Sequence, residues 1–198
     1  MEKYFEEQSK ILYAGQKLED AHPELSYQTG VTPESVEMAR NHAKIVEDLP
    51  AENQPLSRFP PEYDAKWRFF WPIGERPKEI QNDLPKVYPK NFPDWEQKMD
   101  TWGNMMIEAC KTSAEMAAIG MGLDKDTFSS KMEGGSHLLA PTGSDLIKYD
   151  VGTPFAGFHY DLNFLTIHGK SRYPGLFVWL RNWKKMVAKV PEGCLLLQ

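Results

Sequence analysis

Apolar residues recur at helical spacing near the start of the chain. Tyr4, Phe5, Gln8, Ile11 and Leu12 share one side of residues 3–13, with Glu and Lys between them, so a short helix is expected there. Ala14-Gly15 and His22-Pro23 close it. Residues 26–31 read as strand-like. Thr32-Pro33-Glu34 then predicts a second helix reaching to about residue 46, with Thr as N-cap and Pro at the first helical position. Residues 94–119 carry the clearest helical pattern. Trp95, Met99, Trp102, Met106, Ala109, Cys110 and Ala117 form an apolar stripe behind an Asp94 N-cap, and Gly120 and Gly122 end it. Such a stripe is core packing. A shorter helix is expected from Asp124, stopped by Gly134-Gly135.

After that pair of glycines the pattern turns to strands separated by Pro and Gly turns. They are expected over residues 136–140, 145–151, 155–167, 176–181 and 183–190, with a last one at 194–198. Helices first and short strands afterwards predict an α+β chain in which helices pack against a β sandwich or barrel. The whole is read as a single domain, helical and Pro/aromatic-rich over 1–135 and β over 136–198.

The segment from Pro50 to Pro93 breaks this order. It holds nine of the fifteen prolines, together with Phe59, Tyr63, Trp67, Phe69, Phe70 and Trp71. An irregular segment packed on the core through its rings is expected. It is also a candidate wall of a substrate pocket, with Arg68 or Arg76 to meet a substrate carboxylate.

The richest chemistry lies in the strand expected over 155–167. Side chains at i and i+2 leave a strand on one face, about 7 Å apart at their Cα atoms. His159 and Asp161 would then converge on one cation. An imidazole and a carboxylate supply two parts of the 2-His-1-carboxylate triad that holds non-haem iron with open positions. The same letters also describe a His hydrogen-bonded to its neighbour at a strand end. Asn163 shares their face and suits a supporting role in orienting a ligand. His168 lies at odd spacing from Asp161 and is expected to face away. His22 and His42 lack metal-like neighbours and read as surface or packing residues.

From Phe158 the sequence runs Phe-His-Tyr-Asp-Leu-Asn-Phe-Leu-Thr-Ile, then Tyr173-Pro174-Gly175-Leu176, Trp183 and Val190-Pro191-Glu192-Gly193. That order resembles the isopenicillin-N-synthase-like branch of the Fe(II)/2-oxoglutarate-dependent oxygenases, specifically over residues 146–198 and more loosely from Tyr4. The resemblance implies a distorted jelly roll, a double-stranded β-helix, buttressed by the long helix. It implies Fe(II) as metal and O2 with 2-oxoglutarate as co-substrates. Some members draw electrons from their substrate or from ascorbate instead. It implies His159 and Asp161 as metal ligands. Tyr149 is implied as an active-site residue that hydrogen-bonds a carboxylate, although Asp150 stands where the family often has Pro. The family's second His and its Arg-x-Ser motif would fall beyond Gln198, so the chain is expected to be an incomplete, central portion. Its last strand would then offer an unpaired edge for self-association. A non-catalytic jelly-roll protein that binds a partner and a cupin-like site for another metal are the rival readings.

Composition narrows the classes. The net charge is −5, which gives no electrostatic footprint for nucleic acid. No apolar run approaches a membrane span, and the first residues lack a signal peptide's apolar stretch. Cys110 and Cys194 sit in apolar surroundings and read as buried thiols of a reducing, cytoplasmic compartment. The expected partner is a small-molecule substrate.

Overall fold

The computed structural model describes residues 1–75 and 84–198. It is an α+β structure whose core is built on one strand of the aromatic-rich segment. Helix α1 spans Glu2–Tyr13 and buries Tyr4, Phe5 and Gln8. Strands β1 (Gly30–Thr32) and β2 (Trp67–Ile73) pair antiparallel with Val31 opposite Phe69. Strands β3 (His137–Leu139) and β4 (Thr142–Gly143) also pair antiparallel with β2, with Leu139 opposite Trp71 and Gly143 opposite Trp67. The short helix α2 is Ala43–Glu47, and the long helix α3 is Trp95–Gly120.

Trp67, Phe69 and Trp71 of β2 are all buried. The Tyr4 ring meets Phe69 and Trp95 at 5.4 and 4.8 Å between centroids. These contacts clamp α1 and α3 onto the sheet. Burying rings of this size contributes most of the core's hydrophobic stabilisation. Two of them have satisfied polar tips: Tyr4 donates to Asp20 Oδ2 at 2.8 Å, and the Trp71 indole to Asp100 Oδ1 at 2.6 Å. Gly30, at φ +70°, brings the backbone against Asp20, whose carbonyl oxygen would lie 2.2 Å from any Cβ there. The adjacent amide of Val31 donates to that carbonyl, so only glycine suits the site.

The carboxy-terminal third holds two small antiparallel sheets. Strand β5 (Ile167–His168) pairs with β8 (Leu196–Leu197), and β6 (Phe177–Trp179) forms a hairpin with β7 (Lys185–Val187). The hairpin docks on the turn at 51–54: the Trp179 indole donates to the Asn53 carbonyl at 2.6 Å, and the Lys185 amide to Asn53 Oδ1 at 3.0 Å. Among the described residues no helix is long and apolar enough to cross a membrane.

Several expected elements are replaced, each for a local reason. The helix expected over 32–46 shrinks to α2. Ser35 takes φ +62°, its amide donates to the Asp64 carbonyl, and the Asp64 amide donates to Glu37. Backbone bonds to residue 64 thus replace bonds within a helix. The strand expected over 26–31 begins only at Gly30, because Ser26 and Tyr27 have positive φ. The strand expected over 145–151 is a turn. Asp145 Oδ1 accepts from the amides of Ile147 and Lys148 at 2.9 and 3.1 Å, the Asx geometry that competes with extended chain. Ile147 and Val151 are fully exposed there.

The helix expected from Asp124 is a single 3-10 turn, Ser129–Lys131, under which Met132 packs on Cys110. In α3 the buried face runs Trp95, Met99, Gly103, Met106, Cys110, Ala114, Ala118; Trp102 and Ala117 lie outside it, and both are exposed. Cys110 is buried, but Cys194 is exposed, and both are free thiols. Within residues 136–198, β5–β8 and β6–β7 are short, separate ladders, while β3 and β4 join the sheet of β2. Within the aromatic-rich segment, β2 is a regular strand where an irregular segment was expected.

Candidate metal centre

His159 and Asp161 do come together, though not by strand alternation. Of the strand expected over 155–167, only Ile167 lies in a ladder. The segment is held by side chains of residues 57–64. The Gly157 amide donates to Asp64 Oδ1 at 2.8 Å, and the Phe158 amide to Ser57 Oγ at 2.9 Å. Phe158 is buried, edge-on to Trp179 at 4.8 Å and to His42 at 5.8 Å, so His42 is a packing residue.

His159 Nδ1 lies 2.6 Å from the Gly157 carbonyl oxygen. A carbonyl only accepts, so Nδ1 carries a proton, and in the neutral ring Nε2 keeps its lone pair. That lone pair faces Asp161 Oδ1 at 3.3 Å. Two electron-rich atoms at this separation require a proton or a cation between them. Two neighbouring donors, each about 2.1 Å from one ion, stand about 3 Å apart, so the pair fits a bound metal. The two side chains are 45% and 27% exposed, respectively, which leaves the site open to solvent.

Asp161 Oδ2 accepts from the Gln198 amide at 2.7 Å. Burial alone would raise the Asp161 pKa. The bonds from Gln198 and Thr166, with the His159 and His168 imidazoles, outweigh it and hold the carboxyl below its ordinary value. Asn163 does not reach the pair directly: it donates to Thr166 Oγ1 at 3.3 Å, and Thr166 in turn acts on Asp161. His168, expected to face away, bears electrostatically on Asp161, and its buried Nε2 has no hydrogen-bond partner among the described residues. Among those residues no group of three or more His, Cys, Asp or Glu side chains converges to hold a metal.

Tyr149 sits on the turn after Asp145, and its hydroxyl donates to Glu34 Oε2 at 2.7 Å. Glu34 also accepts from Tyr13 and Lys148. Burial opposes the Glu34 charge, yet these three donors lower its pKa. Tyr149 lines a cavity of about 190 Å³ together with Ser57, Phe59, Tyr63, Asp64 and Phe158. Gly157 and Phe158, the two residues before His159, also line it. Phe59 and Tyr63 of the aromatic-rich segment thus line this cavity, but Arg68 does not. That guanidinium pairs with Glu37 and stacks 4.3 Å over Phe70. Burial draws its pKa down against the pull of the Asp161 carboxylate. Arg76 lies outside the described residues.

Ser57, Asp64, Glu34 and Gln198 were not singled out by sequence reasoning. Their partners lie 37 to 115 positions away, and no local pattern marks them.

No family model matches the chain, and no curated protein matches it. Among solved structures, a full-length Neurospora crassa protein in complex with alpha-KG is similar to it at a TM-score of 0.58 and 18% identity. What the two share is the fold. The similarity covers 99% of this chain and 58% of that one, so the chain spans less than two thirds of the Neurospora protein's length.

Proposed function

We propose that this chain belongs to the Fe(II)/2-oxoglutarate-dependent oxygenases, in their isopenicillin-N-synthase-like branch, and acts as an oxygenase or oxidase on a small molecule. The observation that carries the proposal is the His159–Asp161 pair, with Nδ1 tied to a carbonyl and Nε2 turned to the carboxylate. The fold shared with a protein solved in complex with alpha-KG supports it.

In this reading His159 Nε2 and Asp161 Oδ1 hold Fe(II). Iron bound there would supply the oxidative decarboxylation of 2-oxoglutarate by O2 to succinate and carbon dioxide, one oxygen atom entering succinate and the other being used to oxidise the substrate. Gln198 keeps the second Asp161 oxygen occupied, so the carboxylate presents a single oxygen to the ion. Asn163 supports Asp161 through Thr166. Tyr149 donates its hydroxyl to a carboxylate of co-substrate or substrate, which requires it to leave Glu34. The cavity beside Phe158 takes the substrate and excludes water through its aromatic wall. The jelly roll, the cytoplasmic location and self-association along the β8 edge belong to the same proposal.

Anaerobic Fe(II) titration of the wild-type chain with 2-oxoglutarate, beside His159→Ala and Asp161→Ala, tests it. A two-donor site should bind Fe(II) weakly and follow the usual affinity order of first-row ions. Both substitutions should abolish the saturable phase. Equal binding by wild type and both variants would refute the assignment, and so would the absence of any saturable phase in wild type.

A further inference from the structure

We propose that Ser57 and Asp64 are positioning residues for His159, acting through the two peptide planes that flank Gly157. The proposal rests on the reading of His159 as a metal ligand.

The Gly157 carbonyl and the Phe158 amide belong to one planar, trans peptide, so they point in opposite directions. Ser57 Oγ accepts from the Phe158 N–H at 2.9 Å. Fixing that N–H fixes the carbonyl on the other side of the plane, where His159 Nδ1 sits at 2.6 Å. Donation by the N–H also polarises the carbonyl and makes it a better acceptor for the imidazole proton. Asp64 holds the preceding plane through the Gly157 N–H at 2.8 Å. The Ser57 bond is therefore one step from the imidazole tautomer, and the Asp64 bond, on the plane before, is two.

Asp64 is built as a rigid post. It is 5% exposed, and its other carboxylate oxygen accepts from Lys66 Nζ at 2.6 Å. Its backbone amide and carbonyl are bonded to Glu37 and Ser35. Gly157 lies tightly beneath it: a Cβ there would stand 2.9 Å from the Ala39 methyl. The peptide has no room to rotate while both anchors hold. Without Ser57, the Phe158 N–H is released, the Gly157 carbonyl can turn, and His159 loses its reason to keep the proton on Nδ1. An imidazole protonated on Nε2 presents a hydrogen, not a lone pair, toward Asp161 and the ion.

The test reads His159 by 15N NMR of the metal-free chain at about pH 8.5, well above the ordinary imidazole pKa, with the resonance assigned by comparison with His159→Gln. Co(II) titration is run in parallel. Wild type should keep Nδ1 protonated. Ser57→Ala should show a mixture of tautomers and bind Co(II) roughly tenfold more weakly, the low end of what loss of a ligand's supporting bond costs. Ser57→Thr keeps the hydroxyl and should restore both readouts. Asp64→Asn keeps an acceptor for Gly157 and should leave the His159 tautomer close to wild type, although its amide nitrogen turned toward Lys66 lowers stability; Asp64→Ala should behave like Ser57→Ala. Folded Ser57→Ala with an unchanged tautomer and unchanged affinity would overturn the proposal, whether or not Asp64→Ala folds. If the tautomer shifts as expected but wild type binds no Co(II), the clamp stands and the metal-centre reading fails.

Discussion

Glu34→Gln perturbs a buried carboxylate that holds three donors and gives a measurable consequence. The Glu34 side chain is 4% exposed. It accepts from Tyr13 at 2.5 Å, from Tyr149 at 2.7 Å and from Lys148. Glutamine keeps the shape but replaces one acceptor oxygen with an amide that only donates, and it removes the charge opposite Lys148. Each hydrogen bond to a charged group contributes about 1.5–3 kcal/mol. The Lys148 side chain is 40% exposed and regains water, as does the Tyr13 hydroxyl, so the full sum is not lost. A net loss of about 2–3 kcal/mol is expected, or roughly 4–12 °C in Tm for a chain of this size.

The sign of the pH dependence follows from the lowered Glu34 pKa. Its folded value lies below the unfolded one of about 4.3. The contribution is therefore fully present above about pH 4.3 and is lost as pH falls through the folded value. Urea denaturation of wild type and Glu34→Gln should show the full gap at neutral pH and a closing gap in the acid limb. Lys148→Met in the Glu34→Gln background should cost less than in wild type. A gap under about 0.5 kcal/mol at neutral pH, or one unchanged below the folded pKa, would refute the argument.

Gly103→Ala should destabilise the protein by about 1–2 kcal/mol in urea denaturation. Alanine improves helix propensity by about 1 kcal/mol, but its Cβ would meet Ile73 Cγ2 at 2.5 Å, and overpacking at such a contact outweighs the gain; a stabilised variant would contradict the packing of α3 on β2. Tyr149→Phe, in any form of the chain that turns over 2-oxoglutarate, should raise the co-substrate KM more than it lowers kcat, and an unchanged KM would remove Tyr149 from the site. Sedimentation should show concentration-dependent association of the 198-residue chain, and a strict monomer at all concentrations would rule out pairing along β8.

Helices α1 and α3 were legible because their apolar periodicity survives in the core. The β6–β7 hairpin was legible from two apolar runs around Asn182. Strand β2 was hidden by the prolines around and within it. Beyond Phe70 it pairs with β3 alone among the described residues, so the missing N–H of Pro72 fits an edge position. The helix expected after Pro33 had good start signals, but Glu34 and Glu37 are drawn into ion pairs with Lys148, Lys66 and Arg68. Tertiary charge pairing overrides local propensity there. His159 and Asp161 could be picked out together from their spacing. The means of bringing them together could not, since Ser57 and Asp64 lie 101 and 93 positions from the amides they hold.

These anchors change what the aromatic-rich segment is for. Glu34 holds the turn at Lys148 and Tyr149. Ser57 and Asp64 hold the backbone before His159, and Arg68, paired with Glu37, feels the Asp161 carboxylate. Residues 34–68 therefore act as the frame on which residues 148–161 are fastened. In a continuous strand, ladder bonds would set the angle between His159 and Asp161, and single side chains would matter little. Here a few long-range polar bonds set it, while the global fold rests on the β2 rings and α3. Substitutions in the frame should thus loosen the candidate metal centre before they unfold the chain, and substitutions in the ring cluster should do the reverse.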